Sequence, residues 1–219
     1  DSLQPFLERS LQRLGVDHVD LFEFHGVLPQ FYQEVLDRFL PVARRCQEHG
    51  MFRFLGITER YHQDSRHTML RRALADDHFD SIMVGYNLLA PGAERWILPE
   101  ARKRDVGVLG MFAVRRALSD AVRLKESIGD LKERGIIPAD ALAEDGPLDW
   151  LVAGDVDSVP SAGYKFVAGH PDISSVLTGT GNVSHLEANV RAVLGAPLPD
   201  EHRNRLLEVF GEVEDPMGP

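Results

Sequence analysis

The stretch VDLFEFHG, residues 19–26, reads as a buried strand that ends on a histidine. A strand covered on both faces of a parallel sheet reads as a nearly continuous apolar run, and this one does so until Glu23 and His25. Strand side chains alternate, so Glu23 and His25 share a face with Val19 and Leu21. Two ionisable groups therefore point the same way at the end of a buried strand.

Leu3, Phe6, Leu7, Leu11 and Leu14 fall at helical spacing before this strand, and Gly15 is the stop signal. After it, residues 30–50 carry Leu36, Leu40, Ala43 and Cys46 on one helical face, with Gly50 as the stop and a kink expected at Pro41. FRFLGIT (52–58) predicts a strand, residues 64–77 a helix opened by an Asp or Ser cap, and FDSIMVGYNLL (79–89) a strand. Residues 92–105 predict one helix and VGVLGMFAV (106–114) a strand. A charged insertion, 115–157, follows, broken at Gly135, Pro138, Gly146 and Pro147 and expected to be an elaborated loop over the pocket. Residues 159–171 predict a helix, ISSVLTG (173–179) a strand, 183–193 and 200–213 helices, and 214–219 a disordered tail.

Strands alternating with helices imply a parallel sheet of βα units, either doubly wound or a (β/α)8 barrel. The nucleotide-fold signature, a glycine-rich turn after the first strand, is missing: only HGVLPQ follows Phe24. A net charge of -10 argues against nucleic acid as a partner, because such proteins cluster Lys and Arg. Cys46 is the sole cysteine, which excludes an intramolecular disulfide framework or a cysteine-rich zinc site and fits the cytoplasm. No apolar run reaches the roughly 18 residues that would span a membrane.

SLQRLGVDHVDLFEFHG, GMFRFLGIT, VGYNLL, VGVLGM and HPDISSVLTGTGNVSHLEANVRAV, in this order, resemble the aldo-keto reductase superfamily. The resemblance implies a TIM barrel that binds NADP(H), with NAD(H) as the alternative, and passes hydride between the nicotinamide and a small carbonyl or alcohol substrate. It places residues 1–213 on strands 4 to 8 of the family barrel, with the first three βα units, roughly 80 residues, outside the chain. His25 falls at the family's active-site histidine, where a neutral imidazole can polarise a carbonyl oxygen. Glu23, one layer lower, is expected to be a buried polar group that needs a hydrogen-bond partner. The family's tyrosine acid, its lysine and its aspartate belong to the first three strands, so the chain alone is expected to be inactive. Tyr86, near a strand end, is expected to pack rather than replace that tyrosine.

The resemblance also places the cofactor residues. Thr58 and Glu59 occupy the pair that holds the nicotinamide carboxamide, Met83 the position of a glutamine, and Met111 or Phe112 that of the stacking aromatic. Gly179, Thr180 and Gly181 form a strand-to-helix turn suited to a phosphate, and Asn182 can cap the helix. His185 stands for an arginine on the 2'-phosphate, and Asn189 for the asparagine that reaches the adenine. A non-catalytic dinucleotide-binding or regulatory barrel is the alternative reading, favoured by Glu59 and Met83. A metal hydrolase built on Glu23 and His25 lacks further converging ligands, with no His-x-His pair on any expected strand.

Overall fold

The computed structural model describes residues 3–214. Of the expected tail only Glu214 is described, and it is held by Arg66 at 2.8 Å; residues 215–219 lie outside the described residues. Helix α1 (Leu3–Leu14) leads into β1 (Val19–Val27). Helix α2 (Leu40–Glu48) precedes β2 (Phe52–Glu59), and α3 (Thr68–Asp76) precedes β3 (Ser81–Gly85). Helix α4 (Leu98–Lys103) precedes β4 (Gly107–Met111), after which come α5 (Ala121–Glu133) and α6 (Val159–Ala168). The short strand β5 (Ser175–Val176) is followed by α7 (Val183–Leu194) and α8 (Asp200–Phe210).

Among the described residues the five strands form one parallel sheet in the order β1-β2-β3-β4-β5. A doubly wound sheet reverses direction at a switch point, whereas this order runs one way, as in a singly wound barrel. Paired residues in register share a face. The row Phe24, Ile57, Ile82 and Val108 is buried in the main core, and the adjacent row Glu23, Gly56, Ser81 and Gly107 belongs to the other face. Thr58, Met83, Leu109 and Ser175 form the next row on that second face. All strands being parallel, their C-terminal ends, and the loops that follow them, gather at one edge of the sheet.

Three expectations change. Pro41 does not kink a single helix: a π-helical turn, Val35–Phe39, precedes α2 and absorbs the missing N–H and the ring's clash with the turn before it. Residues 92–105 divide at Ile97, with Pro99 in the first turn of α4. The insertion 115–157 is not loop throughout: α5 and the segment after it bury Leu124, Ile128, Leu131, Leu142, Leu148 and Leu151 in the main core.

Candidate functional site

His25 stands exposed near the C-terminal end of β1, where the pairing with β2 shifts register between Phe24 and Val27. Gly26 takes a left-handed φ of 64°, a conformation that suits glycine, and this turns its N–H toward β2. There the buried Thr58 Oγ1 accepts that N–H at 2.7 Å and lies 3.2 Å from His25 Nδ1. A threonine oxygen has one proton to give. That oxygen also has two lone pairs, so it can give its proton to Nδ1 or accept one from it, and either way it holds the imidazole ring in place. Thr58 is thus engaged with the histidine, rather than standing free for a carboxamide.

Glu59 is a correction. Its side chain is fully buried, its Oε1 accepts the Gly85 N–H at 2.8 Å, and its Oε2 lies 2.9 Å from His67 Nδ1. Burial pushes its carboxyl above the ordinary value, against the opposing pull of His67 and the Gly85 N–H. Both oxygens serve the interior, so Glu59 is not placed to contact a cofactor. The helix it braces opens unusually: Asp64, the expected acidic cap, accepts the N–H groups of Thr68 and Met69 from outside while His67 adopts φ 54°.

Met83, Met111 and Phe112 do come together, in a small apolar cluster separate from the main core. Its centre is Tyr61, which the sequence pattern assigns only to a loop. The Tyr61 ring stacks on His67 at 5.4 Å, lies 6.2 Å from Phe112, and covers Gly85, where any side chain would collide with it. A glycine ending the strand IMVG was the available signal. Phe112 itself takes φ 68°, uncommon for an aromatic, and Arg115 lies 4.5 Å above its ring. The cluster supplies an apolar floor.

The turn after β5 builds the other end of the site. Asn182 caps α7, its Oδ1 accepting from Ser184 N at 2.9 Å and Ser184 Oγ at 2.7 Å, and Thr180 Oγ1 accepts from Asn182 N. The Asn182 side-chain oxygen thus forms the helix cap expected from the sequence. Gly179 and Gly181 have open space where a Cβ would point. Asn189 Nδ2 donates to Thr178 Oγ1 at 2.7 Å, and the Tyr164 hydroxyl meets the same oxygen at 2.9 Å. Gly179, Thr180, His185 and Asn189 share a groove of about 560 Å³ with Asp157 and Tyr164. Its exposed glycine backbone and half-committed asparagine fit the adenosine end of a dinucleotide.

Other candidates sit elsewhere. Tyr86 is fully buried with its hydroxyl on Glu94 and Arg203, as the packing reading expected. Lys125 pairs with Asp145, while Lys132 and Lys165 donate to the carbonyls of Leu142 and Ala196 and Lys103 faces Glu100. Glu23 Oε1 and the Ser81 hydroxyl, on either side of Gly56, have no hydrogen-bond partner among the described residues. No cluster of three or more His, Cys, Asp or Glu among those residues is placed to hold a metal ion, and no helix is long and apolar enough to cross a membrane.

Comparison with known proteins adds a family. The sequence profile of the Aldo/keto reductase family matches residues 1–209, so the match is not confined to a C-terminal part of the chain. The chain is 22% identical over 197 residues to the uncharacterized oxidoreductase YqkF of Bacillus subtilis, covering 89% of this chain and 61% of that protein. It is 22% identical over 224 residues to the NADH-specific methylglyoxal reductase of Escherichia coli, covering 98% and 66%. An aldo-keto reductase from Bacillus halodurans superposes with a TM-score of 0.68 at 21% identity, over 95% of this chain and 67% of that one. The chain thus spans about three fifths of YqkF's length.

Proposed function

Because the chain belongs to the aldo/keto reductase family, we propose that it serves an oxidoreductase that reduces aldehydes or ketones, or oxidises the matching alcohols, with a nicotinamide dinucleotide. The observation that carries this reading is His25, held through its Nδ1 by Thr58 at 3.2 Å on the strand-end edge, which leaves Nε2 free for a substrate. An Nε2–H there donates to a carbonyl oxygen and stabilises the negative charge that develops on it. The bound nicotinamide would supply the hydride. The groove at Gly179, Thr180, His185 and Asn189 would hold the adenosine, and Met83, Met111 and Phe112 would offer the nicotinamide an apolar surface. On this reading the five strands stand for strands 4 to 8 of the family barrel, which the histidine ending the first of them supports. The lone buried Cys46 favours a reducing compartment such as the cytoplasm.

A second reading, a dinucleotide-binding barrel without turnover, is favoured by Glu59 and Met83. Glu59 is spent on Gly85 and His67, and Met83 packs in the apolar cluster with no amide to offer a nicotinamide. One experiment separates the two: nucleotide binding and methylglyoxal reduction, measured for the protein as its native gene encodes it and for its His25→Ala variant. Turnover that falls about 100-fold or more in the variant, with nucleotide affinity retained, supports the oxidoreductase. Binding without turnover selects the second reading, and turnover indifferent to His25 sinks the first.

A further inference from the structure

We propose that the groove beside α7 selects the unphosphorylated dinucleotide, NAD(H), with Asp157 as the acceptor for its adenosine ribose hydroxyls. This rests on the reading of that groove as the adenosine end of a dinucleotide site, and it reverses the NADP(H) expected from the sequence. The side chains lining the groove include one carboxylate, Asp157, and one imidazole, His185, but no lysine or arginine. Neither Asp157 nor His185 has a hydrogen bond or ion pair among the described residues, so both are available. The neighbouring residue holds Asp157 in place. Ser158 caps α6 by accepting from Ser161 N at 3.2 Å, which fixes the backbone where the insertion enters the helix.

A ribose 2'-hydroxyl is a donor, and a carboxylate accepts it. A 2'-phosphate offers only acceptor oxygens and carries between one and two negative charges near neutrality, so it meets Asp157 as a like charge. Sites that hold such phosphates use arginine forks or lysines, and the groove's lining offers neither. The chain's net charge of -10 adds to the repulsion. Gly179 leaves room for the sugar, since a Cβ there would touch nothing within 4 Å.

The test is titration of the chain with NADH and with NADPH, followed by the fluorescence of the reduced nicotinamide. NADH is expected to bind about tenfold or more tightly than NADPH, a difference of ~1.4 kcal/mol. Asp157 is exposed, so its replacement leaves the fold intact. Asp157→Asn is expected to weaken NADH by roughly threefold to tenfold without weakening NADPH, and Asp157→Arg to bring the two affinities together or invert them. NADPH binding as tightly as NADH, or a ratio unmoved by both substitutions, overturns the selection while leaving the dinucleotide site standing. Binding of neither nucleotide overturns both.

Discussion

The two ends of the site handle polar groups in opposite ways. At the end of β2, Thr58 and Glu59 are both buried and both spent on the protein itself, one on Gly26 and His25, the other on Gly85 and His67. In the groove beside α7, Asp157 and His185 have no partner among the described residues, and the glycines face open space. A buried polar atom satisfied by the fold stabilises it and has little left for a ligand, whereas an exposed unpaired one contributes nothing to stability and is free to bind. The β2 end therefore reads as a brace that aims His25, and the groove as the part that recognises.

If that division holds, the largest effect on stability comes from breaking the brace. Glu59→Ala leaves the Gly85 N–H and His67 Nδ1 without their acceptor. A loss of about 3 kcal/mol or more is expected in urea unfolding. Glu59→Gln keeps an acceptor and should lose roughly half as much. A stable Glu59→Ala protein would show that the carboxylate is not structural and would return it to the set of ligand groups.

The contrast also marks where sequence reading succeeds. The βα alternation was legible because buried parallel strands are apolar and helices keep their period, and His25 stood out as the polar residue ending such a strand. The fate of Glu59 was not, since its partner His67 is eight residues away around a left-handed turn that no hydrophobic pattern encodes. Period-two alternation did carry a hint: adjacent strand residues such as Thr58 and Glu59 point apart, so both could not face one ligand. Tyr61 was missed for a related reason, because its position depends on a glycine in the neighbouring strand. Asp157 sits in a segment whose composition resembles a loop, and only its place beside His185 in the groove gives it meaning.

A smaller effect sharpens the role of the brace. Thr58→Val removes the acceptor of the Gly26 N–H and the partner of His25 Nδ1 while keeping the shape. A loss of about 1 kcal/mol is expected, together with a redistribution of the His25 proton between its two nitrogens. Nitrogen NMR of the imidazole reads this directly: wild type should show the proton on Nε2 and Thr58→Val a mixture, with Thr58→Ser restoring the first. An unchanged tautomer in the valine variant would mean that Thr58 only ties β1 to β2.

The smallest effect belongs to Glu23, which lies on the same strand face as His25 and follows neither pattern. It is half-buried, its Oε1 has no partner among the described residues, and burial pushes its carboxyl above the ordinary value of 4.5. A folded state that raises the pKa of an acid binds the proton more tightly than the unfolded chain does. Stability from this group is therefore fully present below pH 4.5 and is lost as pH rises through the folded value. Glu23→Gln removes the ionisation, so the variant's advantage should grow from about pH 4.5 upward and then level off, at less than about 1 kcal/mol. Urea midpoints of the two proteins across this range provide the measurement. An advantage that shrinks as pH rises would mean that the carboxylate is held by a partner, and would place Glu23 with Thr58 and Glu59 among the committed groups.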